Sequence, residues 1–316
     1  MVKGAPVKLL ITGGAGFIGS HIAHHALAAG HEVLCVDDLS HGKKENVPQG
    51  ARLIVTDVTK RDFRDLLARE KPDAISHHAA QIDVRKAVED PIYDANLNIL
   101  GMLNVLEGAV AAGVKRFVFA SSGGAIYGEQ DVYPADETHK NAPLSPYGIT
   151  KLTGEKYLDF YRNIHGIQTV ALRYSNVYGP RQDAHGDAGV VAIFCSCLIE
   201  GHQAKIFGTG EQTRDYVFVR DVARANLLAL SEEVPPGPFN IGTGHETTVN
   251  ELYATIAKEL GSADKAELSP ARPGEVERSC LDASLAGREL GWQPEYNLSA
   301  GIKETVEWFR EHLTNK

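Results

Sequence analysis

The chain has 316 residues, 43% of them hydrophobic and 23% charged, with a formal net charge of −9. That size and apolar fraction supply one large or two modest cores and exclude disorder, and an acidic chain without a basic stripe suits a small-molecule partner better than nucleic acid. The four cysteines, Cys35, Cys195, Cys197 and Cys280, show no paired spacing, no apolar run reaches the roughly 20 residues of a bilayer span, and the start is unlike a signal peptide, so a cytoplasmic protein without disulfides or membrane contact is expected.

From residue 7 to 120, short apolar runs alternate with helical patterns: VKLLIT, a helix over about 17–29, EVLCVD, ARLIVT, a helix near 61–70, DAISHHAA, a helix near 91–112, and RFVFAS. This rhythm is that of βαβ units, with a parallel sheet covered on both faces. The strand run QTVALRYSNVYG comes next, and beyond it Pro, Gly and charge become more frequent and strands shorter. The expected fold class is α/β, a Rossmann-type doubly wound parallel sheet with a smaller C-terminal α/β substrate-binding domain. The expected boundaries are 1–175 for the first domain, completed by segments near 215–230 and 238–243, and 176–316 for a lid. VPPGP at 234–238 reads as a rigid connector, and helices near 249–260 and 301–313 end the chain. Cys195 and Cys197, two apart in an apolar helical segment, point to nearly opposite sides and read as core thiols, not metal ligands.

In LLITGGAGFIGSHIAHHALAAG, Gly13, Gly16 and Gly19 follow a strand and open a helix, and Gly14, Gly16 and Gly19 also satisfy G-x-G-x-x-G. Backbone without Cβ atoms admits a pyrophosphate, whose charge meets the helix N-terminus, while Gly19 permits close packing of helix on strand. Asp37 ends the second strand, 18 residues beyond Gly19. A carboxylate there accepts from a ribose 2′-hydroxyl and repels a 2′-phosphate, so NAD is expected over NADP. Asp57, closing the next strand, is placed either to meet the adenine edge or to cap the strand end. His21, His24 and His25 have metal-like spacing, but their helix packs on the sheet and no metal is expected. His77 and His78 end the fourth strand and are expected to pack near the cofactor.

LSPYGITK at 144–151 sets a tyrosine and a lysine four places apart. Ser145 is a natural cap for a helix whose first residue is Pro146. Tyr147 and Lys151 then share one face, one turn apart. The ammonium and the positive helix end both favour the phenolate of a group that ordinarily titrates near pH ~10, which makes Tyr147 a candidate base.

With the glycine loop, Asp37 and this pair in one chain, the sequence resembles the extended short-chain dehydrogenase/reductase family over nearly its whole length. SPYGITK, RYSNVYGPRQ, GTGEQTRDYVFVRDVA and ARPGE resemble its branch that epimerises UDP-hexoses at C4. The resemblance implies that Tyr147 transfers the proton and that Lys151 holds the nicotinamide ribose. It further implies cofactor contacts from Gly13, Gly16, Phe17, Ile18, Gly19, Asp37, Asp38, Asp57, Val58, Ala79, Asn98 and Tyr174. A third catalytic hydroxyl normally lies just past the fifth strand. Counting forward through RFVFASSGGAIYG gives Ser122, counting back gives Gly123, because the segment carries one glycine more than the usual pattern; Ser122 is chosen, with Ser121 as runner-up.

For the nucleotide sugar, the resemblance places Asn176, Arg214 and Arg272 on the diphosphate, Phe207 against uracil and Glu275 on the uridine ribose, where aspartate is more usual. Two guanidiniums suit a diphosphate inside an acidic protein. Ser279 stands where some members carry a bulky tyrosine, which implies room for N-acetylated sugars. The implied reaction is NAD-dependent inversion at C4 of a UDP-hexose through a transient ketone. The rivals are a dehydratase, whose acid pair is replaced here by GGA, a UDP-glucuronate epimerase or decarboxylase, and a non-catalytic NAD-sensing protein. Members usually pair through two helices per subunit, and apolar or aromatic residues at 152, 157, 158, 160 and 161 are too many for one core-facing stripe, so a homodimer is expected.

Overall fold

The structure is a computed structural model that describes residues 6–184, 189–271 and 276–313. In chain order its first half contains β1 (Lys8–Thr12), α1 (Phe17–Ala28), β2 (Glu32–Asp37), β3 (Arg52–Val55), α2 (Asp62–Glu70), β4 (Ala74–His77), α3 (Val84–Glu89) and α4 (Pro91–Ala95). A π-helical turn, Asn96–Gly101, leads into α5 (Met102–Ala112), β5 (Arg116–Ser122), the single turn α6 (Gly123–Ile126), α7 (Pro146–His165) and β6 (Gln168–Tyr174). The second half contains β7 (Asn176–Tyr178), α8 (Val190–Glu200), β8 (Lys205–Phe207), β9 (Thr213–Arg214), β10 (Tyr216–Phe218), α9 (Val219–Leu228) and β11 (Gly237–Ile241). It ends with β12 (Thr247–Thr248), α10 (Val249–Leu260), β13 (Glu267–Ser269), β14 (Arg278–Ser279), α11 (Ser284–Glu289) and α12 (Leu298–Leu313).

Seven strands form one parallel sheet in the order β11-β6-β5-β4-β1-β2-β3. The chain reverses direction across the sheet between β1 and β4, and a crevice at such a switch point, beyond the carboxyl ends of the strands, is where ligands bind in open α/β sheets. One face is covered by α2, α5 and α7 over Leu10, Phe63, Ile75, Met102, Val105 and Phe117. A second core, in which Tyr178, Phe194, Phe218, Leu252, Ile256 and Val306 bring α8, α10 and α12 against β10, lies in the second half of the chain. Phe17 and Ile18, in the first turn of α1, pack against this second core and so join the two halves.

Several local expectations change. The helix expected over 91–112 is interrupted by the π turn, because one additional residue in a turn leaves the apolar periodicity almost intact. The short α3, capped by Asp83, was not anticipated, and the last helix starts at Leu298 rather than near 301. Of VPPGP, the last two residues enter β11, an edge strand where proline costs no ladder bond. The stretch Pro91–Ala112, not recognised in the sequence, has the length and apolarity of a membrane span; here Met102, Val105, Leu106 and Ala109 lie in the sheet core.

Candidate active site

The loop after β1 is shaped by glycine. Gly13 has φ +66°, and a Cβ there would lie 2.9 Å from the backbone of His78 and Ala79. A Cβ on Gly19 would lie 2.2 Å from the Gly13 carbonyl oxygen, so α1 could not seat on the loop with any other residue. Gly16 precedes α1 as its cap, and Phe17 and Ile18 are its first two residues. At the end of β2 the buried Asp37 carboxylate accepts from Ala15 N–H (3.0 Å) and Leu39 N–H (2.9 Å). It thereby braces the glycine loop and keeps acceptor capacity for a ribose hydroxyl. A side chain at Gly42 would press on it, since its Cβ would fall 2.6 Å from the carboxylate. These residues fit a dinucleotide: an open cradle at a helix N-terminus, with a carboxylate at the end of the neighbouring strand.

The other expected cofactor residues border the same carboxyl edge, with different local commitments. Asp38 is exposed and accepts from the Ser40 N–H and hydroxyl (2.9 and 2.6 Å). Asp57 accepts from the Thr59 N–H and hydroxyl (2.8 and 2.7 Å), which is the capping role. Val58 is buried, and the Ala79 N–H donates to Thr12 Oγ1 (3.1 Å). Asn98, in the π turn, accepts from Gln81 N–H (2.8 Å) and donates to its carbonyl (3.0 Å). Tyr174, at the end of β6, accepts from Asn226 Nδ2 (2.8 Å), and its hydroxyl lies 3.0 Å from His78 Nε2. Burial pushes this phenol above its ordinary pKa, unlike a catalytic base.

Tyr147 and Lys151 stand on α7 as expected. Ser145 Oγ accepts from Gly148 N–H (3.1 Å) with Pro146 in the first turn. Gly148 lets that turn approach α6, for its Cβ would sit 2.5 Å from the Ala125 carbonyl oxygen. Tyr147 is half-buried, and Lys151 Nζ lies 5.6 Å from the centre of its ring. Nζ also donates to the Ala120 carbonyl (2.9 Å) and lies 4.9 Å from the Phe119 ring. Burial pushes the ammonium down to about 8, against the opposing pull of Asp94.

The two serines at the end of β5 are distinguished. Ser121 is buried and donates to Glu155 Oε1 (2.6 Å), whereas Ser122 is half-exposed at the start of α6. Gly123 and Gly124 open the helical turn α6 directly after Ser122. A Cβ on Gly124 would lie 3.9 Å from both Asn176 Oδ1 and Ser279 Oγ, so these three residues face one space.

In the lid, Arg214 and Ser279 are partners in the parallel pairing of β9 and β14. The Arg214 guanidinium donates to the Thr213 carbonyl (2.7 Å), and Phe207, at the end of β8, is half-exposed with its carbonyl taken by Gln212 Nε2 (2.8 Å). Asp215, missed in the sequence, is fully buried: its carboxylate accepts from the N–H groups of Thr243, Gly244 and Leu281 and from the Thr243 hydroxyl (2.6–3.3 Å). It ties three segments around Arg214 and Ser279, and an aspartate beside a short strand was its only sequence signal. Arg272 and Glu275 lie outside the described residues. Also missed were Asp94 and Thr150, whose oxygens meet at 3.0 Å, with Thr150 next to Lys151 in the chain. Among the described residues no group of three or more His, Cys, Asp or Glu could hold a metal, and the histidines of α1 instead bond to the Pro180 carbonyl, the Arg181 guanidinium and the His21 carbonyl.

Residues 9–242 match the NAD dependent epimerase/dehydratase family. A UDP-glucose 4-epimerase of Mycolicibacterium smegmatis is 45% identical over 309 residues, covering 96% of this chain and 99% of the relative. The crystal structure of UDP-glucose 4-epimerase from Thermotoga maritima with UDP-glucose superposes with a TM-score of 0.94 at 45% identity, over 96% of this chain and 99% of that one. The Thermus thermophilus UDP-glucose 4-epimerase in complex with NAD gives 0.91 at 43% identity, over the same shares.

Proposed function

The chain belongs to the NAD dependent epimerase/dehydratase family, and we propose that it inverts the C4 configuration of a UDP-hexose through a transient 4-keto sugar. The observation that carries this reading is the Tyr147 and Lys151 pair on α7, with Lys151 Nζ 5.6 Å from the Tyr147 ring and bonded to the Ala120 carbonyl of β5, the strand that ends at Ser122. NAD bound here would supply the acceptor, and then the donor, of the C4 hydrogen with its electron pair. Gly13, Gly16 and Gly19 leave room for its pyrophosphate, and Asp37 holds the adenosine ribose.

The C4–H of a hexose is not acidic, so inversion needs oxidation, and oxidation needs a base for the hydroxyl proton. Tyr147 phenolate takes that proton, directly or through Ser122, and Lys151 stabilises the phenolate. For a group with a reference near 10 to work at neutral pH, about 4 kcal/mol of stabilisation is required. The ketone must then present its opposite face, which demands a firm hold on UDP and a loose one on the sugar. Arg214, Asn176 and Phe207 supply the hold, with Arg272 and Glu275 assigned to the same end. Around the sugar stand small residues, Gly124 and Ser279, and the room they leave supports N-acetylated substrates as well.

We place the protein in the cytoplasm, where four free thiols are at home, and as a homodimer. Of the α7 residues expected to exceed one stripe, Leu158 and Tyr161 are buried in the core and Leu152 and Tyr157 partly so, leaving Phe160 exposed. Ile149 and Ile164 on the same helix, with Ile92 on α4 and Leu100 in the π turn, extend an exposed apolar surface that supports pairing with a second copy.

The deciding experiment is incubation of the purified protein with UDP-galactose, without added NAD and then with it, followed by NMR of the products. UDP-glucose is the expected product; a 4-keto-6-deoxy sugar or no conversion would overturn the reading, and UDP-glucuronate run alongside tests decarboxylation.

A further inference from the structure

A buried ammonium needs an anion, and among the described residues the surroundings of Lys151 offer one carboxylate that is not already paired with an arginine. From β5 come the Ala120 carbonyl and the Phe119 ring. From the end of β4 come His77 and His78, which burial and the lysine's own charge push down to about 3, so they are neutral. On α7 itself stand Tyr147 and, one turn beyond, Glu155, whose two oxygens are held by Arg173 (2.9 and 2.6 Å). The remaining group is Asp94 on α4, which has no exposed surface. Its Oδ1 accepts from Asn98 Nδ2 (2.9 Å) and Gln81 Nε2 (3.1 Å), and its Oδ2 lies 3.0 Å from Thr150 Oγ1. The Thr150 hydroxyl is also 2.9 Å from the Tyr147 carbonyl oxygen, so a single proton bridges Asp94 to the turn that carries the catalytic tyrosine.

We propose that Asp94 is a positioning residue for the catalytic pair: it is the counter-charge that keeps Lys151 an ammonium, and through Thr150 it fixes the first turn of α7. Burial works against the ionised form of each group, raising Asp94 and lowering Lys151, and each opposes that effect in the other. Three side-chain donors favour the carboxylate, and Gln81 and Asn98 are joined through each other's backbone and side chain, so the anion is held in one place. The inference rests on the reading of Tyr147 and Lys151 as the proton-transfer pair, and its test is separable from that reading.

Lysine Cε is labelled with ¹³C in the protein as purified, the Lys151 signal is identified by its loss in Lys151→Arg, and its titration is followed by NMR. In Asp94→Asn that titration is expected to move down by about 1 pH unit or more, the ratio of ammonium to amine at a given pH falling about tenfold per unit. The alkaline limb of kcat with UDP-galactose should move with it. Asp94→Glu, which keeps the charge, should restore both towards the wild-type position. Thr150→Val, which keeps the charge and removes the bridge, should lower kcat and leave the Lys151 titration in place. An unmoved titration in Asp94→Asn, or a neutral Lys151 at pH 7 in the wild type, overturns the proposal, and the second holds even if Asp94→Asn fails to fold. A wild type that does not epimerise would overturn the reaction and leave the Lys151 titration to decide the role of Asp94.

Discussion

Ser121 and Glu155 are joined by a buried hydrogen bond of 2.6 Å, while Ser122, the next residue of the same strand, stays half-exposed at the site. The Ser121 hydroxyl anchors β5 to α7, and the proposed reaction assigns the neighbouring hydroxyl to the substrate. Ser121→Ala is expected to destabilise the protein by about 1–2 kcal/mol, read as a lower urea midpoint. Ser122→Ala is expected to keep the midpoint and lower kcat by about 10²-fold. Loss of turnover in Ser121→Ala at unchanged stability would reassign the catalytic hydroxyl.

Tyr147→Phe removes the phenol and keeps the ring whose centre lies 5.6 Å from Lys151 Nζ. Turnover is expected to fall by about 10²–10⁴-fold, with UDP affinity by calorimetry nearly unchanged because the nucleotide is held in the lid. Retained turnover would remove this residue from the mechanism.

Ser279→Tyr places a ring in the space shared with Gly124 and Asn176. Activity on UDP-N-acetylgalactosamine should disappear and activity on UDP-galactose persist, measured side by side under the same conditions. Equal losses on both sugars would show that this space does not receive the C2 substituent.

His21 and His77 are each pushed by burial down to about 3 from an ordinary 6.5. The unfolded chain takes up protons that the folded one refuses, so this share of stability is complete above pH 6.5 and is lost as pH falls towards 3. Each ring is expected to cost about 2 kcal/mol between its ordinary value and pH ~5. Urea unfolding at a series of pH values checks this, and a flat profile over that window would count against neutral rings in the fold.

Whatever is local in the chain was legible. The Ser145 cap depends on a neighbour three residues away, and the glycine loop and Asp37 belong to one βαβ unit whose spacing shows in the sequence. What depended on pairing across the chain was not. Asp94 meets Thr150 over 56 residues and Ser121 meets Glu155 over 34, and nothing in either segment announces the other. Arg173, a charge within the otherwise apolar β6, is buried and bonded to Glu155 and the Tyr127 hydroxyl. Of the five apolar or aromatic positions on α7, Leu158 and Tyr161 are taken by the core and Phe160 is left exposed, a division the helical spacing alone does not announce.

The π turn between Ala95 and Met102 is also a record of chain length. Dropping one residue there would let α4 and α5 run on as one continuous helix with both ends still docked, so such a deletion would spare the architecture. It would swing the Asn98 amide away from Gln81 and Asp94 and unmake the support beneath Lys151. Deletion of one residue at this spot is therefore expected to keep the scaffold and lose the chemistry.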